Sequence, residues 1–266
     1  MENKAFKLTS GTRRCYQNYG RYTPPSGWQL YGPKIVAWGT VGLCVGGFLY
    51  HHYSTYRYTK FGDRSQVDLI EQNFVNSREN VRQGRWWTLI TSSLMHFEAW
   101  HLAANMFGLV SFGPRVVQIF GAGGFVGLWL GSAAACGAAQ IMWEVVQEQE
   151  LRKKQKDRIR VLGYQLVKED PTRSITFTRA IGASGSVLGI ITAAGCFQPH
   201  MVVNIFPIPV GIPAWGAGLM FATFSVSAMV TGLIPGWGHA GHLGGMAFGA
   251  AYYYTWLRRR LRVLRF

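Results

Sequence analysis

Four long stretches with almost no charged residue constrain this chain more than any other feature of its sequence. Three of them contain no Asp, Glu, Lys or Arg, and the other contains only Arg115. A helix that crosses a bilayer needs about 20 predominantly apolar residues, so the two longest stretches each have room for a pair of crossings. The sequence therefore predicts a polytopic membrane protein of the all-α class. The four stretches are Ile35–Tyr50, Trp100–Trp143, Ile181–Phe197 and Ala214–Leu257.

Helix-breaking residues divide these stretches into six predicted spans. Gly113-Pro114-Arg115 is the predicted turn between the second and third spans, because proline ends helices and the charge favours the membrane surface. Gln198–Pro213 contains four prolines and is predicted to be a loop. The predicted spans are Ile35–Tyr53, Trp100–Phe112, Val117–Trp143, Ile181–Phe197, Trp215–Leu233 and Ala240–Leu257.

The polar segments complete the predicted domain organisation. Residues 1–34 form a basic tail, residues 35–257 a six-span membrane domain, and residues 258–266 a second basic tail. Long polar loops are predicted at 54–99 and 144–179.

The net charge of +15 does not decide the orientation in the membrane. Lys and Arg are divided almost evenly between the two predicted sides of the membrane. Only the net charge of each side, with Asp and Glu included, favours both termini on the cytoplasm-like side. Nucleic acid is not an expected partner, because no basic nucleic-acid-binding module is recognisable. The N-terminal tail lacks the apolar core and cleavage site of a secretory signal, and its composition leaves a mitochondrial address open.

Neither a disulfide framework nor a metal site is expected. The cysteines are widely spaced, and three of the four lie in apolar stretches, where they read as small buried hydrophobes. His239 and His242 have the i, i+3 spacing of metal ligands, but no carboxylate or cysteine completes a set. No cofactor is predicted. The cysteines are Cys15, Cys44, Cys136 and Cys196.

A serine stands at the predicted start of the fourth span, in Gly182-Ala183-Ser184-Gly185. Alone, this composition is also that of an ordinary tight helix start. A helix N-terminus offers unpaired N–H groups and a positive dipole end, which suit a developing oxyanion. The Gly-x-Ser-x-Gly elbow of soluble hydrolases is not matched, because Ser186 occupies its last position.

Two further groups of polar residues lie inside predicted spans, where lipid makes them costly and therefore functional candidates. His101 and Asn105 have i, i+4 spacing on one face of the second span, either as an interhelical hydrogen-bond pair or as donors to a common point. His242 precedes Gly245 and Gly249, a GxxxG pair that lets another helix approach closely. If that helix is the fourth span, which has its own Gly185 and Gly189, His242 is drawn towards Ser184 as a general base.

Taken in chain order, these groups resemble the rhomboid family of intramembrane serine proteases over roughly Gly84–Phe248. The resemblance implies Ser184 as nucleophile and His242 as general base and acid, without a third carboxylate. It implies an oxyanion hole formed by His101, Asn105 and the Ser184 backbone N–H. The motifs that carry the resemblance are His-x4-His-x3-Asn at 96–105, Gly-x-Ser-Gly at 182–185 and His followed by small residues at 242–245.

The implied partners are transmembrane protein substrates, cut where their helix is locally unwound, and the lipid bilayer around the protease. Three positions depart from the family pattern, and none removes a reacting group. Thr88 follows Trp87 where an arginine is expected, Leu188 replaces a tyrosine found in some members, and Gly241 replaces a frequent alanine.

Two other interpretations stay open. A catalytically silent relative would bind transmembrane clients without cutting them, and a transporter or channel would need a continuous polar path. The membrane is also unresolved: the segment 239–245 looks mitochondrial, whereas Trp86-Trp87 looks more like bacterial and secretory-pathway members. The oligomeric state is not predicted.

Overall fold

The computed structural model describes residues 27–162, 181–203, 210–234 and 237–263. All contacts described below lie within the compact unit Pro33–Phe266. Of the unit Met1–Gly32, the described part is the beginning of the first helix. The described part of the chain is mostly helical, which confirms the prediction of a helical protein.

The helices follow one another with short connections on the N-terminal side and longer ones later in the chain. A 3-10 turn at Ser92–Leu94 follows the fourth helix, and a π-helical segment at Tyr253–Leu257 joins the eighth to the ninth. In chain order the helices are α1 (Gly27–Phe61), α2 (Ser65–Asn73), α3 (Arg78–Arg82), α4 (Thr88–Thr91), α5 (Ala99–Leu162), α6 (Ser184–Phe197), α7 (Ala214–Thr231), α8 (His239–Tyr252) and α9 (Arg258–Val263).

Three stretches in the described ranges are long and apolar enough to cross a membrane. They lie in α1, α5 and α7, and α6 is a shorter apolar helix of 14 residues. The stretches are Tyr31–Phe61, Ala99–Asp157 and Ala214–Thr231.

The predicted turn at Gly113-Pro114-Arg115 is wrong. The helical backbone continues through Pro114 and breaks at Gly121, where φ is +78° and ψ is 165°. Glycine has no Cβ and adopts this left-handed φ at little cost, whereas one proline removes a single N–H that a membrane helix can do without. Gly121 divides α5 into a first arm, residues 99–120, and a second arm, residues 122–162. Gly108 on the first arm lies against Val187, and Cys136 on the second arm lies against Gly185. The two arms therefore run antiparallel along α6.

Backbone contacts between glycines hold α6 in the centre of the bundle. A Cβ on Gly245 of α8 would lie 2.3 Å from the Gly185 carbonyl oxygen, and one on Gly249 would lie 2.2 Å from that of Gly189. Ser132 of α5 also packs against Gly189. Such small-residue stripes let helices meet backbone to backbone, which is the usual device for helix association in lipid. The fully buried side chains around these contacts include Leu109, Leu128, Ile190 and Ala193.

The predicted loop at Gln198–Pro213 contains a small antiparallel pair of two-residue strands, so a short piece of sheet accompanies the mostly helical fold. Strand β1 (Val202–Val203) pairs with β2 (Ile212–Pro213), with Val202 opposite Pro213 and Val203 opposite Ile212. Residues 204–209, between the strands, lie outside the described ranges. The β-branched residues at these positions favour extended backbone despite the neighbouring prolines.

Buried asparagines anchor the polar segment between α1 and α5. Asn80 donates from Nδ2 to the carbonyl oxygens of Glu71 and Val75, at 2.8 and 2.7 Å. Asn76 donates to the Gly137 carbonyl oxygen at 3.2 Å and ties the segment to α5. Thr88, which stands where the family pattern has arginine, is buried and donates to the Arg85 carbonyl oxygen.

Candidate active site

Ser184 is the first residue of α6, and the backbone turns into the helix at a glycine. Gly182 has φ of +118°, in the left-handed region that only glycine adopts readily. Its N–H donates to the Ser92 carbonyl oxygen at 3.0 Å, which fixes the approach to the helix. The Ser184 N–H has no intrahelical acceptor, because it belongs to the first turn. The Ser184 hydroxyl and the Ser184 N–H therefore lie together at the positive end of α6.

His242 reaches this hydroxyl from α8. Its Nε2 lies 2.9 Å from Ser184 Oγ, a normal hydrogen-bond length. His242 is on the first turn of α8, three residues before Gly245, so it lies about one turn from the glycine contact between α6 and α8. When Nε2 accepts the serine proton, Nδ1 carries the ring hydrogen, and within the described ranges Nδ1 is buried with no hydrogen-bond partner.

His96 connects the start of α5 to the start of α6. It is completely buried in the loop before α5, and its Nε2 accepts a hydrogen bond from the Ala183 N–H at 3.2 Å. The same nitrogen lies 3.2 Å from Asn105 Nδ2. Burial lowers the pKa of His96, which keeps the ring neutral and its Nε2 able to accept. His96 belongs to the motif at 96–105, but no local pattern predicts this contact, because its partner Ala183 is 87 residues away.

His101 and Asn105 lie beside the same helix start. A Cβ on Gly182 would lie 2.5 Å from His101 Cε1, so the imidazole packs on the glycine two residues before Ser184. Asn105 is buried and donates from Nδ2 to the His101 carbonyl oxygen at 3.0 Å. The structure thus brings both residues to the neighbourhood of Ser184, but gives neither a hydrogen bond to it in the described part of the chain.

Aromatic rings from α7 cover the histidines of α8. The Phe221 and His242 ring centroids are 5.7 Å apart, and those of Phe224 and His239 are 5.6 Å apart. His239 is itself 6.3 Å from His242 in an edge-to-face arrangement. Nothing in the sequence pointed to Phe221, because its contact depends on the register between two helices. Among the described residues, no three His, Cys, Asp or Glu side chains are grouped to hold a metal ion.

Comparison with known proteins identifies the family. The model of the rhomboid domain matches residues 83–259, which include every residue discussed above for the site. The chain belongs to the rhomboid family. Rhomboid protein 1, mitochondrial, of Saccharomyces cerevisiae is 28% identical over 238 residues, covering 87% of this chain and 56% of that protein.

Other relatives agree with this assignment. RHOMBOID-like protein 12, mitochondrial, of Arabidopsis thaliana is 30% identical over 199 residues, covering 74% of this chain and 54% of the relative. Rhomboid protease AarA of Providencia stuartii is 23% identical over 212 residues, covering 75% of this chain and 68% of the relative. The chain spans about half the length of the two mitochondrial relatives. Membership of the family implies a polytopic membrane fold and supports the interpretation of the apolar helices as membrane helices.

Proposed function

We propose that this rhomboid protein is an intramembrane serine endopeptidase that cleaves transmembrane segments of other membrane proteins. The observation that carries the proposal is the 2.9 Å distance between His242 Nε2 and Ser184 Oγ. A serine hydroxyl is a weak nucleophile unless a neighbouring base removes its proton, and a neutral imidazole within hydrogen-bond reach is such a base.

In the proposed reaction, Ser184 Oγ attacks the carbonyl carbon of the substrate peptide bond while His242 Nε2 takes the hydroxyl proton. The tetrahedral intermediate then collapses, and the carbon–nitrogen bond breaks as His242 returns that proton to the leaving amine. A water molecule next attacks the acyl ester, with His242 again as base, and releases Ser184. No carboxylate takes part, so the pair acts as a dyad.

The oxyanion of the intermediate would be stabilised by the Ser184 N–H, His101 and Asn105. The Ser184 N–H supports this role by its place at the positive end of α6. His101 supports it by its packing on Gly182. In the present arrangement Asn105 Nδ2 faces His96 Nε2 and the His101 carbonyl oxygen, so we propose that it exchanges one of these acceptors for the oxyanion during the reaction.

The proposed membrane domain, residues 35–257, crosses the bilayer six times. The crossings would be α1, the two arms of α5, α6, α7 and the continuous run from α8 to the end of the π-helical segment at Leu257. Because a helical backbone is closed to attack, the substrate helix must unwind locally before it reaches Ser184. We propose that the segment 59–99 and α7 control this entry.

The names of the relatives suggest a location. Two of those described above are called mitochondrial, so we propose a mitochondrial membrane for this protein rather than a secretory-pathway membrane. Imaging of a tagged full-length chain tests this, and a signal confined to the endoplasmic reticulum or Golgi would contradict it.

Two single substitutions test the chemistry. We expect Ser184→Ala and His242→Ala each to abolish cleavage of a model transmembrane substrate in detergent. Ser186→Ala is the matched control, because Ser186 lies on the same helix and its hydroxyl donates to the Trp129 carbonyl oxygen at 2.9 Å. Unchanged cleavage by either dyad variant would refute the mechanism. A folded wild-type protein that binds substrate without cutting it would instead identify a silent relative.

A further inference from the structure

The imidazole of His242 is oriented by few polar contacts. Its Nε2 is engaged with Ser184 Oγ, and in the described part of the chain no group accepts a hydrogen bond from Nδ1. A ring held by one hydrogen bond can still rotate about it, and serine hydrolases commonly use a third group to fix the ring. Among the described residues, the rings of Phe221 and His239 contact the His242 imidazole.

We propose that Phe221 on α7 is a positioning residue that holds the His242 imidazole in line with Ser184 Oγ. The Phe221 and His242 ring centroids are 5.7 Å apart with an interplanar angle of 54°, within the range of favourable aromatic contacts. This inference rests on the proposed function, because it assigns Phe221 a role in the reaction of the same dyad.

The contact belongs to the packing of α7 on α8 and is not an isolated approach of two rings. One turn further along α7, Phe224 lies 5.6 Å from His239, which is one turn earlier on α8. The two ring pairs therefore follow an antiparallel register of the two helices. In that register, the position of α7 determines where the Phe221 ring stands over His242.

α7 is the least enclosed of the three long apolar stretches. In its span 11% of the residues are buried, against 39% in the most apolar part of α5. The buried side chains of α7 are Ala214, Ser225 and Ala228, all small. Phe221 consequently links the alignment of the dyad to a helix with little packing of its own, so a displacement of α7 would release the His242 ring.

Three substitutions at Phe221 distinguish the effect of its aromatic ring from the effect of its side-chain volume. Phe221→Ala removes both, Phe221→Leu keeps an apolar side chain without the ring, and Phe221→Tyr keeps the ring. Phe224→Ala is the matched control, because it removes the same side chain one turn away on α7, over His239 rather than His242. Each purified full-length variant is assayed for kcat and KM with a model transmembrane substrate, for the rate of labelling by a fluorophosphonate probe, and for its melting temperature.

We expect Phe221→Ala and Phe221→Leu to lower both kcat and the labelling rate by about tenfold, with KM unchanged. Phe221→Tyr and Phe224→Ala are expected to stay within about threefold of the wild type. If Phe221→Ala does not fold, the comparison of leucine with tyrosine still decides. A raised KM with unchanged kcat and labelling would make Phe221 a substrate contact, and a leucine variant as active as the wild type would remove the role of the ring. If the wild-type protein itself neither labels nor cleaves, the proposed function fails instead.

Discussion

Replacing Gly245 by alanine tests whether the contact between α6 and α8 sets the distance between Ser184 and His242. The new Cβ would lie 2.3 Å from the Gly185 carbonyl oxygen, whereas ordinary contacts of a Cβ begin at 3.4 Å. A backbone carbonyl cannot rotate away as a long side chain can, so the helices must separate locally by about 1.1 Å.

A separation of this size would lengthen the distance between His242 Nε2 and Ser184 Oγ from 2.9 Å to about 4 Å, beyond hydrogen-bond range. A misplacement of about 1 Å costs on the order of 100-fold in rate, and overpacking costs about 1–3 kcal/mol of stability. We therefore expect Gly245→Ala to remain folded with a lowered melting temperature and to lose about 100-fold in kcat.

The assay is the initial rate of cleavage of a model transmembrane substrate in detergent, with thermal unfolding measured on the same preparation. Gly218→Ala is the control, because a Cβ at Gly218 on α7 meets nothing within 4 Å. If folded Gly245→Ala cleaves within about threefold of Gly218→Ala, the glycine contact does not set the geometry of the dyad.

Two further predictions concern groups around the site and outside the membrane. His96→Leu leaves the buried Ala183 N–H without its acceptor, so we expect the free energy of unfolding to fall by about 1–3 kcal/mol. Equal stability of the variant and the wild type in denaturant unfolding would contradict a stabilising hydrogen bond between Ala183 and His96. Hydrogen bonds, chiefly from Ser65 and secondly from Arg57, lower the pKa of Asp63 from 3.8 to about 2. The ionised carboxylate therefore stabilises the fold above pH 3.8, and this stabilisation is lost as the pH falls towards 2. Asp63→Asn should therefore lower the melting temperature at pH 6 but not at pH 2, and a difference that does not change with pH would count against the depressed pKa.

Sequence patterns within one helix predicted much of the geometry. The spacing of Gly245 and Gly249 predicted a close contact with another helix, and in the structure that helix is α6, which meets α8 at Gly185 and Gly189. The position of His242, one turn before that contact, followed from the same helical period. The structure gives the distance between His242 Nε2 and Ser184 Oγ, whereas the chemical roles of these two residues stay predictions.

Features that depend on register between distant segments could not be predicted. The bridge from His96 to Ala183 and the ring of Phe221 over His242 are set by how separate helices align, which no local period encodes. The turn within α5 lies at Gly121 and not at the predicted Gly113-Pro114-Arg115. Pro114 costs the helix one hydrogen bond, whereas Gly121 supplies the positive φ that reverses the chain.

Intact-mass spectrometry after reaction with a fluorophosphonate tests the central claim most directly, because only an activated serine reacts. The account predicts one covalent adduct on the wild-type protein, mapped to Ser184, and none on Ser184→Ala or His242→Ala. Equal labelling of the His242→Ala variant, or no labelling of a folded wild-type protein that carries the 2.9 Å contact between His242 and Ser184, would contradict it.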